Sequence, residues 1–296
     1  MVDIGDYRQV EIDDKDLFMD HFSRYPPVHS DYTFSTMICW SDYMEYFYKF
    51  MDDSLLIMTR CGDEMFFRPP HGPRNREAAL KIMDLSTEMN SATVFSVADP
   101  IMKQWLAEEF PDLNFEPHRE YFDYVYLADD LASLPGKKYL KIRNYLNKFQ
   151  KTYPHTVEEI SKDDFSEVVD FMERWCEQRG CEEEPLLQSE NIAMKKAIDL
   201  FFDLDLKGIV LRIGGEIEAV SIYEEMDRNT AVIHYEKANQ DVRGLYQAIN
   251  KEAARILAKK YRFINRESDM GLEGLRLAKE KYRPHHMTEV YHVMRQ

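Results

Sequence analysis

A repeated order of elements limits the folds open to this chain. The first half reads as strand YRQVEI (residues 7–12), helical DDKDLFMDHFSRY and TFSTMICWSDYMEY, and strands FYKFM and SLLIMTR. Helix NREAALKIMDLSTEMN, strand ATVFSV, a helix opening at Pro100 (PIMKQWLAEEF), and strands LNFEP and YFDYVYL follow. The second half starts with strand TVEEI (156–160), a helix ended by Gly180 and a helix ended near Gly208. Strands KGIVLRI, EIEAVSIYEEM and TAVIHYEK come next, joined by the turn formers Gly214-Gly215 and Asp227-Arg228-Asn229, which predicts an antiparallel meander. Helix RGLYQAINKEAARILAKKY, strand RFINRE, helix GLEGLRLAKEKY and strand MTEVYHVM complete the copy. The second half runs β-α-α-β-β-β-α-β-α-β, and the first follows the same order apart from the placement of one strand. The expectation is an α/β chain with mixed sheets, built as two domains of one fold in tandem, 1–130 and 131–296.

Composition narrows the function classes. A length of 296 residues suits two domains, and 44% hydrophobic with 31% charged residues excludes a disordered chain. Lys plus Arg (38) against Asp plus Glu (54) leaves −16, which opposes a non-specific grip on nucleic acid or anionic lipid. No apolar run is long enough to span a bilayer and the N-terminus lacks a signal peptide's pattern, so the cytosol is the expected compartment. Cys39, Cys61, Cys176 and Cys181 lack C-x-x-C spacing and are read as reduced thiols. H-E-x-x-H, P-loop, G-x-S-x-G and G-x-G-x-x-G are all absent.

Three segments carry a resemblance: GKKYLKIRNYLNKFQKTYP, HYEKANQDVRGLYQAIN and INRESDMGLEGLRLAKEKYRP. They resemble the tandem-GNAT family represented by the C-terminal, cytosolic domain of phosphatidylglycerol lysyltransferase, itself distantly like the Fem-type peptidoglycan aminoacyltransferases. The resemblance spans nearly the whole chain. It implies a GNAT-like acyltransferase fold in each half, whose fourth strand splays from the fifth while a helix begins in the gap. It further implies a degenerate first copy and an active cleft in the second. With no membrane-spanning half in this sequence, lipid is not the expected acceptor.

In GNAT acetyltransferases an R-G-x-G segment wraps the coenzyme A pyrophosphate, and DVRGLY stands at that place here. The resemblance therefore puts Arg243, Gly244, Tyr246 and Gln247 at the donor, with Tyr246 crowding a position where phosphate approach favours glycine. This ranks an aminoacyl donor above acyl-CoA. The competing reading is that Arg243 and Gly244 merely cap a buried helix.

The linking helix 136–151 contains no acid. Helical spacing sets Lys137, Lys141, Asn144, Lys148 and Lys151 on one face and Tyr139, Ile142, Leu146 and Phe149 on the other. The stripe is either a phosphate or tRNA track, which the net charge disfavours, or a solvated face. Arg143 projects beside the apolar side as a specific contact or ion-pair partner.

Alternation in TAVIHYEK groups Val232, His234 and Glu236 on one face. Glu236 is the expected general base, the alternative being an ion pair with Lys237 or Arg243, while His234 is read as a satisfied core histidine. Glu267 and Asp269 follow the next strand and could meet a substrate amine; Asp269 could equally cap the helix after it. Lys279 interrupts an apolar stripe of Leu272, Leu275 and Tyr282 and needs a partner, either Glu267, Glu236 or the donor. Tyr282 is the candidate proton donor to the leaving oxygen. In the first half Arg68, His71 and Arg74 precede a helix, but prolines break a phosphate cradle there. Trp40, Tyr43 and Phe47 are assigned to the core and the interdomain seam.

The resemblance, taken with these residues, implies an acyltransferase moving an aminoacyl group from an aminoacyl-tRNA-type donor to an amine or hydroxyl. Glu236 takes the proton, freed main-chain amides hold the oxyanion, and Lys279 with Arg243 orients the donor. Acyl-CoA-dependent N-acetylation and a non-catalytic small-ligand-binding protein are the alternatives. No metal and no cofactor beyond the donor is implied, and the oligomeric state stays open.

Overall fold

The computed structural model describes residues 6–89, 91–181 and 184–295. The first stretch of chain contributes β1 (Arg8–Gln9), α1 (Lys15–Arg24), α2 (Phe34–Cys39), β2 (Glu45–Met51), β3 (Ser54–Cys61) and β4 (Glu64–Phe67). It continues with α3 (Arg76–Glu88), β5 (Thr93–Ala98), α4 (Pro100–Glu109), β6 (Leu113–Pro117) and β7 (Asp123–Leu127). Next come α5 (Ala128–Ser133), α6 (Leu140–Thr152), β8 (His155–Glu159), α7 (Phe165–Arg179) and α8 (Pro185–Asp199). The chain closes with β9 (Lys207–Ile213), β10 (Glu216–Glu225), β11 (Thr230–Ala238), α9 (Leu245–Leu257), β12 (Phe263–Asn265), α10 (Glu273–Glu280), β13 (His286–Thr288) and β14 (Tyr291–Arg295).

Local chemistry sets the helix ends. The Asn75 side chain accepts the Ala78 N–H to open α3, and Asp99 accepts from Ile101 and Met102 ahead of Pro100, which suits a first helical turn. Gly180 ends α7 in the left-handed conformation (φ 67°). That turn brings Cys181 back to the last turn of α7, where it forms a disulfide with Cys176 at a Cα–Cα separation of 5.2 Å. The reduced-thiol reading fails for this pair because the turn at the helix end folds two nearby cysteines onto each other; Cys39 and Cys61 are not in disulfides.

Two compact units result. One comprises the described residues up to Asp123 with Ser268–Leu272 and those from Met287 onward; the other comprises Tyr124–Glu267 and Glu273–His286. The first unit holds a four-stranded sheet ordered β1-β2-β3-β4 and a three-stranded sheet ordered β5-β14-β6. Its core includes Leu56, Met58, Ile82, Phe95, Trp105 and Val293. In the second unit the sheet runs β13-β7-β12-β11-β10-β9-β8, with the predicted meander of β9, β10 and β11 antiparallel throughout.

The strand ending the first copy, β7, pairs with β12, and the strand ending the chain, β14, inserts between β5 and β6. Each unit's sheet is thus completed by the other copy's last strand, an exchange absent from a linear division at residue 130. Two further elements depart from the expectation. Helix 33–46 is confined to Phe34–Cys39, since Tyr46 and Tyr48 bury within β2, and MTEVYHVM divides into β13 and β14. Phe47 joins the core as expected, whereas Tyr43 is 46% exposed.

Candidate functional site

The second sheet opens between β11 and β12. These strands pair in parallel only as far as Val232↔Asn265. Beyond that point the chain after β12 stays with β7, through Arg266 N–H to Tyr124 O (2.9 Å) and Tyr124 N–H to Glu267 O (3.2 Å), while β11 runs on to Ala238 against β10 alone. A bulge marks the divergence: Ile222 faces Tyr235 and Tyr223 faces Ile233, leaving His234 unmatched. Asn239 donates its N–H to Glu218 O on β10 (2.9 Å), so strand alternation directs the amides of Ala238 and Glu236 the other way, into the opening.

Glu236 is nearly buried, 9% exposed, and both its oxygens are engaged. Arg266 Nη2 donates to Oε1 at 2.8 Å and Asn250 Nδ2 to Oε2 at 3.1 Å. The expected partners Lys237 and Arg243 are elsewhere. Lys237 pairs with Glu190 at 2.6 Å on the opposite face of the strand, its ammonium 4.2 Å from the Trp175 ring centroid, and Arg243 stacks on Tyr145 at 4.8 Å. Arg266 also lies over the rings of Tyr282 (5.0 Å) and Tyr126 (5.7 Å). Three polar atoms around this pair are buried without a hydrogen-bond partner: Arg266 Nη1, Asn250 Oδ1 and Ser221 Oγ, the last on the residue directly opposite Glu236.

His234 is bracketed by two carboxylates, Nδ1 at 2.7 Å from Glu267 Oε1 and Nε2 at 2.8 Å from Glu224 Oε1. Burial alone pulls its pKa down, but the hydrogen bonds and charges of Glu224 and Glu267 outweigh it and raise the pKa to about 10. The ring is therefore a cation at neutral pH, satisfied as the sequence reading expected, although by acids rather than by an apolar core. Glu267 itself sits in the left-handed region at φ 56°, a conformation costing a non-glycine residue about 1–2 kcal/mol. Lys279 holds that turn, its Nζ donating to the carbonyls of Arg266 and Glu267. This buried lysine thus meets main-chain carbonyls, and Glu236 pairs with Arg266 instead. Glu267 is also the most accessible acid of the group, its side chain 30% exposed against 9% for Glu236 and 14% for Glu224.

The remaining candidates separate. Tyr282 is buried, and that burial raises its phenol pKa. Asp269, fully buried, accepts from Arg119 Nη1 (3.1 Å) and Gly271 N–H (2.9 Å) and belongs to the first unit. Gly244 precedes α9 at φ 96°, and a Cβ there would lie 2.8 Å from Tyr145 O and 2.9 Å from Phe149 Cβ. Its smallness serves the approach of α6, which supports the capping reading over a phosphate cradle. Tyr246 accepts the Trp175 indole N–H at 3.0 Å, with the Ala238 main-chain amide beside its oxygen; Gln247 is half-buried next to it. Arg143 Nη1 donates to the carbonyls of Leu134 and Gly136 and secures the entry to α6, making neither an ion pair nor a free contact.

Along α6 and the turn leading into it, the two faces fall as predicted. Lys137, Lys141, Asn144, Lys148 and Lys151 are exposed, while Tyr139, Ile142, Leu146 and Phe149 are buried. In the first unit Arg68 and His71 are buried but Arg74 is exposed beside Glu108 (3.6 Å), so the three do not converge.

Sequence reasoning missed Arg266, Glu224, Asn250 and Ser221. Asn250 had a signal, a polar residue on the apolar face of α9 among Ala248, Ile249, Ala253 and Ala254. Arg266 had another, as the charged residue immediately after β12.

The chain is similar to several known proteins. An uncharacterised protein from Mycoplasmoides gallisepticum is 26% identical over 178 residues, 60% of this chain and 57% of that protein, so the chain matches little more than half of that curated relative's length. A solved Bacteroides thetaiotaomicron protein of unknown function superposes with a TM-score of 0.90 at 29% identity, over 98% of this chain and 99% of that one. L-PGS from Bacillus licheniformis gives 0.65 at 15% identity (98% and 94% covered), and a tandem GNAT protein from the clavulanic acid biosynthesis pathway gives 0.50 at 8% (98% of each). The last two establish the fold. Residues 22–294 match the C-terminal domain of phosphatidylglycerol lysyltransferase, and the chain belongs to that family.

Proposed function

We propose that the protein transfers an aminoacyl group to an amine or hydroxyl acceptor in the opening between β11 and β12. One observation carries the reading: pairing stops at Val232↔Asn265 while β11 continues, turning the Glu236 amide toward the gap, the next such amide, that of Ala238, being held by the Tyr246 oxygen. Amides fixed in that way stabilise the negative oxygen of a tetrahedral intermediate without reorganising. The proton of the attacking nucleophile goes to Glu267, the acid with solvent access, rather than to Glu236, whose oxygens hold Arg266 and Asn250. When the intermediate collapses, the donor's ester C–O bond breaks and Glu267 returns that proton to the leaving oxygen, which departs as the hydroxyl of the tRNA. His234 and Glu224 behind it form a hydrogen-bonded chain that orients the Glu267 carboxylate.

An aminoacyl-tRNA-type donor is favoured over acyl-CoA. The start of α9, where a pyrophosphate would need open main-chain amides, is approached at Gly244 by the α6 backbone, and Tyr246 follows where a second small residue would be required. The exposed lysines of α6, together with Arg243, supply a local positive track on an acidic protein. Membership of the lysyltransferase family points the same way. The test offers radiolabelled aminoacyl-tRNA or acetyl-CoA to the protein with a panel of amine and hydroxyl acceptors. Label should leave the tRNA for an acceptor; turnover with acetyl-CoA alone would overturn the donor assignment.

A further inference from the structure

We infer that the first unit carries its own ligand site, an oxyanion site at Arg68 just after β4, suited to a carboxylate or a phosphate. Strands β4 and β5 belong to different sheets, and the Ser96 hydroxyl donating to Phe67 O (3.2 Å) bridges the space between them. Arg68 extends β4 by one step, its N–H donating to Ile57 O at 2.9 Å, and its side chain is 2% exposed. The guanidinium lies between the rings of Tyr32 (4.8 Å) and Tyr46 (5.4 Å), with the Tyr46 phenol in hydrogen-bond reach. Nη1 donates to Asp31 O at 2.6 Å, whereas Nε–H is buried and has no acceptor.

Among the described residues no carboxylate lies within 4.0 Å of this guanidinium. The neighbouring acids are committed. Asp99 caps α4, and Asp123 accepts from the Ser30 N–H (2.8 Å) and hydroxyl (2.9 Å) while facing His29 Nε2 at 3.3 Å. The Asp31 carboxylate is 37% exposed and points to His29 Nδ1 at 3.8 Å. Arg266 in the second unit is the instructive contrast: it too lies against two tyrosine rings, but Glu236 neutralises it at 2.8 Å. A buried cation lacking such a partner is costly, and an incoming oxyanion supplies the missing one. Backbone strain marks the same place. Val97, a β-branched residue at φ 54°, turns its carbonyl to the Tyr32 hydroxyl (3.0 Å), and a fold retains strain of this kind chiefly at functional sites.

The experiment titrates the full chain with sodium phosphate and, separately, sodium acetate against sodium chloride at equal ionic strength. The arginine Nε–H region of the ¹⁵N–¹H spectrum and the melting temperature are followed. Arg68→Lys, which keeps the charge and loses the planar fork, identifies the Arg68 resonance and should weaken binding about tenfold or more. A saturable shift of the Arg68 Nε–H with a matching rise in melting temperature is expected, from phosphate if the ligand is a phosphate and from acetate if it is a carboxylate. An Nε–H signal that neither salt moves at tens of millimolar, or an equal melting shift in Arg68→Lys, would overturn the site. If the variant does not fold, the melting temperature of the unsubstituted protein decides: a rise with phosphate or acetate over chloride supports the site, and no rise with either overturns it.

Discussion

Arg266 Nη2 and Glu236 Oε1 meet at 2.8 Å inside the gap in the second sheet, one residue from the end of β12 and the other from the part of β11 that β12 has left. The pair fills with matched charge a space that ordinary strand pairing would have closed.

Removing one partner should therefore cost more than removing both. Glu236→Gln strands the Arg266 cation and is expected to destabilise the protein by about 3 kcal/mol, while Glu236→Gln with Arg266→Met recovers most of that loss. Urea unfolding of both singles and the double measures the coupling. Additive losses would mean that the two side chains act independently.

Stability should fall on the alkaline side. His234 titrates near 6.5 when unfolded and at about 10 when folded, so its contribution is fully present below the lower value and vanishes as pH rises through the upper. Unfolding free energies at pH 7, 8.5 and 10 should decline by several kcal/mol in total, since each unit of pKa displacement is worth about 1.4 kcal/mol. In His234→Gln the protein starts weaker and this slope disappears. A variant retaining the slope would assign it to other groups.

Gly244→Ala distinguishes packing from ligand binding. The added methyl meets the α6 backbone and must also tolerate positive φ, which together predict a loss of about 3 kcal/mol. Thermal unfolding checks it. Unchanged stability would return this glycine to the ligand-cradle reading.

Lys141→Glu with Lys148→Glu should leave stability within about 0.5 kcal/mol, because both side chains are exposed. The same change should weaken tRNA binding and flatten the slope of log affinity against log salt by about two. An unaltered slope would show that the stripe only solvates α6.

Much of this was readable before any coordinates. Ile142, Leu146 and Phe149 announced the buried face of α6, and the glycines and asparagine between β9, β10 and β11 announced the meander. Other features were not legible because they arise from distant contacts. The bulge at His234 has no local signature; β11 alternates without a break, and only its register with β10 reveals the extra residue. Lys279 donates to a pair of carbonyls exposed by the left-handed turn at Glu267, a contact that spacing within α10 does not report. For the same reason α10 buries Lys279 while Leu277 is 51% exposed, the reverse of its apolar pattern. The exchange of β7 and β14 between copies is likewise a choice among equivalent pairings that repeats cannot express in sequence.

Glu267→Gln puts the proposed chemistry to its sharpest test, because the amide can still accept from His234 while losing the capacity to take a proton. Under single-turnover conditions with saturating aminoacyl-tRNA, the variant should bind donor as the parent does and transfer it roughly 100-fold or more slowly, the usual loss for a missing general base. Transfer at the parental rate would contradict the assignment of Glu267 and of the opened sheet as the site of acyl transfer.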